Sequence, residues 1–256
     1  MENQQHGSRR QLFVMKKLFF VLLVCSLGTA DGQQFINTGM IEFEVRRNNH
    51  KAFGDGIWAD MFKDKIPQFS TNYYHFTFNN SKAIYLYDHK DERTKLPWNS
   101  NEGEDDIWYC DYSTSSFIDQ KLVFGDNYLL SDTLMNIHWK ISPNETREIA
   151  GFLCRKATGI IFDSVYVFAF YTDEITIPGG PMGIHGLPGM IMGITIPRMY
   201  TSWIATKLEI NGVKTDIITP PQKGKKKKAT DLLQNVKKAT ADWGSWGQQA
   251  IWGLFL

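Results

Sequence analysis

Cysteine is scarce in this chain, which contains three cysteines in 256 residues. Cys25 lies in an apolar segment near the amino terminus. The rest of the chain contains two cysteines, Cys110 and Cys154. In a compartment that permits disulfides, this even pair predicts a bridge between Cys110 and Cys154. It would close a loop of about 45 residues and stabilise the fold by about 4 kcal/mol in the chain-entropy model. The alternative is two unpaired thiols that pack as small apolar groups.

An excess of charge of either sign is also missing, because 28 lysines and arginines nearly balance 27 aspartates and glutamates. The chain as a whole therefore has no field that favours nucleic acid or an anionic membrane. Its six histidines form no H-x-H or H-E-x-x-H arrangement, and G-x-S-x-G, S-x-x-K and G-x-x-x-x-G-K-[ST] motifs do not occur. The acidic loop at residues 99–106 is expected to be solvated, with a calcium site as the alternative. We expect no metal, no cofactor and no catalytic activity.

Long apolar runs are absent as well. The apolar run at residues 18–27 is about half of the roughly 20 residues that a membrane-spanning helix needs. Met15, Lys16 and Lys17 precede this run and small residues follow it, which is the layout of a secretory signal peptide. We therefore predict an over-extended start plus signal peptide over residues 1–32, and a mature chain that begins at Gln33. This predicts export across an inner membrane, with the periplasm favoured over outer-membrane association or the cell surface.

Short segments rich in β-branched and aromatic residues are what the chain does contain. Ile41, Phe43 and Val45 alternate with acidic residues, which is the period of a strand with one wet face. Turn signals such as Gly125-Asp126-Asn127 and Ser142-Pro143-Asn144 separate the segments. The pattern predicts a mainly β domain over residues 33–219, built as a curved antiparallel sheet or half-barrel with few short helices, one of them a turn within residues 56–62. The predicted strands are at residues 40–45, 73–78, 83–87, 107–112, 121–124, 137–141, 159–171, 190–196 and 201–210.

The composition changes at residue 220, where two prolines precede a lysine-rich stretch. Residues 220–256 are predicted to be a Lys-rich linker followed by a helical, Trp-rich tail. Three tryptophans and an apolar end suit docking on the domain, on a partner or at a membrane surface, and these alternatives remain open.

Glycines and a proline interrupt the apolar residues of the segment 183–194 in a way that strands and helices do not. One interpretation is a structural corner in which Gly186 and Gly189 form a turn. The other is a rigid lip beside an apolar groove that binds a hydrophobic ligand or an envelope protein. The candidate binding residues are His185, Leu187, Pro188, Met190, Ile191, Phe168 and Phe170.

Five blocks of sequence resemble, in order, those of the GLPGLI family. They are WKI (139–141), ETREIAGF (145–152), CRKAT (154–158), AFYTDEITIPGGP (169–181) and GLPGMI (186–191). Phe170 stands where the family has tryptophan, and Met190 where it has leucine. The resemblance covers residues 40–211 and implies a secreted protein of the envelope of Gram-negative bacteria, without established catalytic residues or cofactor. By analogy, domains with this order of strands are similar to periplasmic lipoprotein carriers of the LolA type, which wrap an apolar groove.

Three functions are compared. The first is a non-catalytic binding or accessory protein of the cell envelope that presents an apolar groove to a hydrophobic ligand or an envelope partner. The second is a protein-interaction subunit of an outer-membrane transport or assembly complex, with contact through the C-terminal tail. The third is a thiol-dependent envelope hydrolase in which Cys154 acts with His138 or His185. We favour the first.

Overall fold

One sheet dominates the computed structural model. Its strands are rich in β-branched and aromatic side chains, which pack well on a pleated surface. The strands are β1 (Thr38–Asn48), β2 (Phe69–Asn79), β3 (Lys82–Lys90), β4 (Ile107–Asp111), β5 (Ser116–Val123), β6 (Asp126–Thr133), β7 (Lys140–Ile149), β8 (Phe152–Ile161), β9 (Val165–Thr172), β10 (Met190–Ile196), β11 (Thr201–Glu209) and β12 (Lys225–Lys228). The described α-helices are α1 (Asn49–Ala52), α2 (Ala229–Ala239) and α3 (Ser245–Phe255).

The structure describes residues 35–54, 60–61, 63–96, 103–162 and 164–255, without the side chains of residues 245 and 246. The predicted signal peptide at residues 1–32 lies outside the described residues. So do residues 56–59 and 62 of the predicted helical turn, and residues 99–102 of the acidic loop. No described helix is long and apolar enough to cross a membrane.

The twelve strands follow the order β12-β6-β5-β4-β3-β2-β1-β11-β10-β9-β8-β7 across the sheet. Each neighbouring pair is antiparallel, except that β12 runs parallel to β6 at one edge. The sheet is open and curved, and the prediction of a mainly β fold built on a curved antiparallel sheet is confirmed.

The core lies on one side of the sheet, which we call the inner face. Aromatic side chains from neighbouring strands meet there edge to face, as in the pair Phe43 and Phe76, whose ring centroids are 6.4 Å apart. The C-terminal helices add four buried side chains to this core: Leu232, Val236, Ile251 and Trp252. The tail therefore docks on the domain itself, and residues Phe35–Leu256 form one compact unit.

The lysine-rich stretch is not the linker that the sequence predicts, because Lys225–Lys228 forms the edge strand β12. Backbone hydrogen bonds to β6 hold this strand, and Lys225 Nζ lies 2.8 Å from Asp126 Oδ1. Sequence patterns miss such a strand because four consecutive lysines carry no apolar alternation.

The predicted turn at Ser142-Pro143-Asn144 is also wrong. These residues lie inside β7, where the register with β8 shifts between Ser142 and Thr146. Proline lacks a backbone N–H, and a bulge in an edge strand accommodates that loss. The chain reverses later, at Ala150 and Gly151, whose φ angles are 49° and 84°.

The structure does not join the two cysteines of the predicted disulfide. Cys110 on β4 and Cys154 on β8 are both free and buried. Six strands separate β4 from β8 in the sheet order, so the two thiols belong to different regions of the core.

We expect neither thiol to react while the protein is folded. Burial is the main cause that raises the pKa of each, to about 12 for Cys110 and about 12 for Cys154. The neutral thiol is a poor nucleophile, so iodoacetamide near neutral pH should leave both cysteines unmodified. Mass spectrometry of a chain that begins at Gln33 should show two alkylated cysteines after unfolding without reductant. A chain that gains no label in urea would instead contain the bridge.

Candidate functional site

The GLPG segment, which we define as residues 175–190, runs from the end of β9 to the start of β10. Backbone hydrogen bonds close it into a compact loop: Met190 N donates to Ile175 O at 3.0 Å, and Gly186 N donates to Pro178 O at 3.0 Å. The side chains of Leu187, Met190 and Ile191 are at most 1% exposed. Three of the predicted binding residues therefore lie in the core, whereas Gly186 and Pro188 on either side of Leu187 are exposed.

The two glycines of the predicted turn meet different constraints. Gly189 has a φ of +141°, and a Cβ placed on it would lie 2.0 Å from Thr172 O. Gly186 has a φ of +94°, but its nearest neighbour would be Trp139 Nε1 at 3.6 Å. Both favour glycine through backbone conformation, and Gly189 also lets two backbones approach closely. This geometry favours the structural corner over the lip.

His185 is fixed by its neighbours in the GLPG segment. Its carbonyl accepts a hydrogen bond of 2.8 Å from Trp139 Nε1, and its Nδ1 lies 3.2 Å from Gly183 O. Its ring centroid is 6.0 Å from that of Tyr112. Burial lowers the pKa of His185 below its ordinary value, although the contact with Gly183 O acts in the opposite direction. The imidazole is therefore neutral at neutral pH and suits hydrogen bonding rather than ion pairing.

Phe168 and Phe170 alternate on β9 with the fully buried Val167 and Ala169, although Phe170 also packs against the core. Side chains alternate along a strand, and Val167 and Ala169 occupy the buried side with 0% exposure. Phe168 and Phe170 are half-buried, and the rings of Tyr166 and Phe168 stack at 6.5 Å. The predicted binding residues are thus divided between the core and the outer face, and no single surface brings them together.

A cluster of charged side chains is buried on the inner face, and we call Asp106, Trp108, Asp119 and Lys121 the Asp119 cluster. Asp119 pairs in register with Trp108, and directly opposite residues share a face. Asp119 is 1% exposed and Lys121 is 4% exposed. Lys121 Nζ lies 2.9 Å from Asp106 Oδ2 and 5.7 Å from the centroid of the Trp108 ring.

Lys121 therefore forms its direct ion pair with Asp106 rather than with Asp119. Among the described residues, no group forms a hydrogen bond with Asp119 Oδ1. Burial raises the pKa of Asp119 from 3.8 to about 7, with Lys121 lowering it and Asp106 raising it. Burial alone would lower the pKa of Lys121, but the carboxylates of Asp119 and Asp106 raise it above its ordinary value. The cluster thus contains one ion pair and one buried acid whose Oδ1 accepts no hydrogen bond from the described residues.

The GLPG segment covers this cluster. A Cβ on Gly183 would lie 3.2 Å from the Trp108 ring, and one on Gly179 would lie 2.4 Å from Tyr112 Oη. The Tyr112 hydroxyl also interacts with the thiol of Cys110, whose pKa Asp119 helps to raise. The Tyr112 hydroxyl and the Cys110 thiol are therefore adjacent polar groups beneath the segment.

The acidic loop and the cysteines have structural partners. Glu104 Oε1 lies 2.7 Å from Lys90 Nζ, so the described part of the loop forms ion pairs. In the part of the chain that the structure describes, no three His, Cys, Asp or Glu side chains are grouped as a metal site. Cys154 Sγ donates to Phe152 O at 3.5 Å, whereas His138 is exposed and His185 lies against Tyr112. Neither described cysteine therefore has a histidine in contact that could activate its thiol, as the hydrolase hypothesis requires.

Sequence reasoning did not identify Asp119 or Lys121. The strand that contains them alternates Ile118, Gln120 and Leu122 with Asp119 and Lys121. Hydrophobic alternation would place the charged residues in solvent, yet Leu122 is 47% exposed. One signal was available in the sequence. Phe117 and Val123 share a face with Asp119 and Lys121, so burying these two apolar side chains also buries the two charged ones.

No family model and no curated protein matches this sequence. Two solved structures of PNGF-II match. The one in space group P21 has a TM-score of 0.49 and 13% identity, and covers 82% of this chain and 34% of that chain. The one in space group C2 has a TM-score of 0.48 and 15% identity, and covers 81% of this chain and 33% of that chain. An uncharacterized conserved protein from Thermus thermophilus matches with a TM-score of 0.38 and 2% identity, over 74% of this chain and 90% of that chain. The chain spans about a third of the length of PNGF-II.

Proposed function

We propose that this protein is a secreted, non-catalytic binding protein of the Gram-negative cell envelope, and that its ligand binds at the Asp119 cluster on the inner face. The observation that carries the proposal is the buried carboxyl of Asp119, whose Oδ1 has no protein partner among the described residues. Leaving a buried acceptor unsatisfied costs about 1–3 kcal/mol, and a ligand that donates a hydrogen bond would recover that cost. The secreted location rests on the GLPGLI resemblance and the predicted signal peptide.

The surroundings of Asp119 indicate the class of ligand. Trp108, Tyr85 and Leu130 provide buried apolar surface on the neighbouring strands, which is typical of sites for small, mainly apolar molecules. Lys121 already has Asp106 as its counter-ion, so the cluster does not offer a free cation to an anionic ligand. The site suits a hydrophobic molecule with one hydroxyl or amide N–H directed at Asp119 Oδ1.

The test is native mass spectrometry, with lipid extraction, on the mature protein purified from its own envelope under mild conditions. We expect a bound apolar molecule in the wild-type protein. Asp119→Asn keeps the shape of the side chain but replaces one carboxyl oxygen with an NH2 donor and removes the negative charge, so the occupied fraction should fall about tenfold or more if the ligand's donor needs the carboxylate. Asp105→Asn, at an exposed position near the cluster, is the matched control and should retain the ligand. A wild-type protein that holds only water, or equal occupancy in both variants, would refute the site.

The outer face favours the second candidate, an interaction subunit of an envelope complex. Tyr166 is 53% exposed and Ile160, directly opposite it on β8, is 47% exposed. Adjacent exposed apolar side chains are typical of protein interfaces. The same purification distinguishes the two: a polypeptide that Tyr166→Ser releases and Asp119→Asn retains would favour the partner over the ligand.

A further inference from the structure

A patch of exposed aromatic side chains lies at the tip of the hairpin that joins β5 to β6. Phe124 is 62% exposed and Trp243 is 51% exposed, although their rings contact each other edge to face at 6.4 Å. Large apolar side chains that contact each other and still face solvent usually mark a binding surface.

The path of the C-terminal segment brings lysines to this tip. Strand β12 starts beside the tip, where Lys225 pairs with Asp126, and runs along β6 to its far end. There Asp132 Oδ2 accepts a hydrogen bond of 2.9 Å from Thr230 Oγ1 at the start of α2. Helix α2 then returns, and the turn after it places Trp243 on Phe124. We call Phe124, Trp243, Lys223, Lys225, Lys237 and Lys238 the tip patch.

The charge of the tip patch has one sign. Seven lysines and two aspartates occur in residues 223–243. Lys237 and Lys238 are exposed in the last turn of α2. Two of the nearby carboxylates already have partners, because Asp126 pairs with Lys225 and Asp132 accepts a hydrogen bond from Thr230. Asp231 and Asp242 are the remaining acidic residues of this stretch. The patch is therefore basic around an aromatic centre, although the chain as a whole is nearly neutral.

We infer that the tip patch docks on an anionic lipid surface. Aromatic rings suit the interfacial region of a bilayer, and lysines near a membrane are attracted to anionic headgroups by about 1 kcal/mol each, which is about fivefold in affinity. Charge complementarity therefore selects acidic phospholipid as the partner. This inference is independent of the ligand at Asp119, since the tip patch and the inner face use different residues.

The experiment is co-sedimentation of a chain that begins at Gln33, without the predicted signal peptide, with vesicles of phosphatidylcholine and phosphatidylglycerol, compared with vesicles of phosphatidylcholine alone. We expect binding to the anionic vesicles and its loss at about 1 M salt, where the Debye length is about 3 Å. Phe124 has a φ of 50°, which asparagine tolerates, so Phe124→Asn should fold normally and weaken binding about tenfold. Lys237→Gln combined with Lys238→Gln should weaken it about 30-fold.

Leu153→Thr and Lys140→Gln are the matched controls, because they remove an exposed apolar side chain and an exposed lysine far along the chain from the tip patch. Both should bind vesicles like the wild type. Equal binding to neutral vesicles, or no binding to anionic ones, would overturn the inference. Vesicle binding that needs the lysines but not Phe124 would show that the aromatic centre makes no contact with the bilayer, and would also overturn the inference.

Discussion

Gly189→Ala is expected to destabilise the protein by about 3 kcal/mol or more, or to prevent folding. A Cβ at this position would lie 2.0 Å from Thr172 O and 2.8 Å from Thr172 C, and both are backbone atoms that cannot rotate away. The φ of +141° adds strain for any residue with a side chain. Urea unfolding followed by tryptophan fluorescence would measure the loss.

Gly186→Ala is the control from the same motif. Its φ of +94° is also unfavourable for alanine, but the nearest atom to a new Cβ is 3.6 Å away. We expect a loss of about 1 kcal/mol from the backbone conformation alone. Equal losses in the two variants would show that the close approach at Gly189 does not determine the shape of the GLPG segment.

Asp119→Asn is expected to raise stability at pH 8 by up to about 4 kcal/mol and to leave it nearly unchanged at pH 4. The folded pKa of Asp119 is raised to about 7 from 3.8, so the folded state binds the proton more tightly than the unfolded state does. The wild-type protein therefore loses stability as the pH rises from about 4 to about 7, as the carboxyl ionises without a direct partner. Asparagine cannot ionise, so the variant avoids that loss.

The measurement is the free energy of unfolding of both proteins across this pH range. Their difference isolates Asp119, because every other carboxylate titrates in both chains. Asp105→Asn, at an exposed position, should follow the wild-type curve at every pH. A constant difference between wild type and Asp119→Asn would contradict a burial-raised pKa. An Asp119→Asn protein that is more stable but does not hold the ligand would separate a binding role from a structural one.

Local patterns predicted much of the sheet correctly. The segment 190–196 was predicted as a strand, and β10 occupies Met190–Ile196. In β1 the alternation put Ile41 and Phe43 on the buried face, where both are 0% exposed. Such predictions succeed because a strand with one wet face requires a period of two in its own side chains.

The candidate site was predicted only in part. The GLPG segment was recognised as a built turn, since glycine and proline report backbone conformation locally. The lip interpretation places its side chains at a surface, but Leu187 and the adjoining Ile191 are buried because the segment folds over the inner face. The positions of Cys110 and Cys154 in the sheet could not be predicted for a related reason, since cysteine count carries no information about strand order.

The sequence by itself determined the β class, most strand positions and the places where only glycine fits, because these depend on side chains and backbone angles within a few residues. The tertiary structure alone decided that Asp119 and Lys121 face the core while Leu122 faces solvent. It also decided that four lysines form an edge strand and that Trp243 meets Phe124. Each of these results depends on which strand or helix, distant in the sequence, packs beside the residue. Such a neighbour can bury a residue without leaving any pattern in the local sequence.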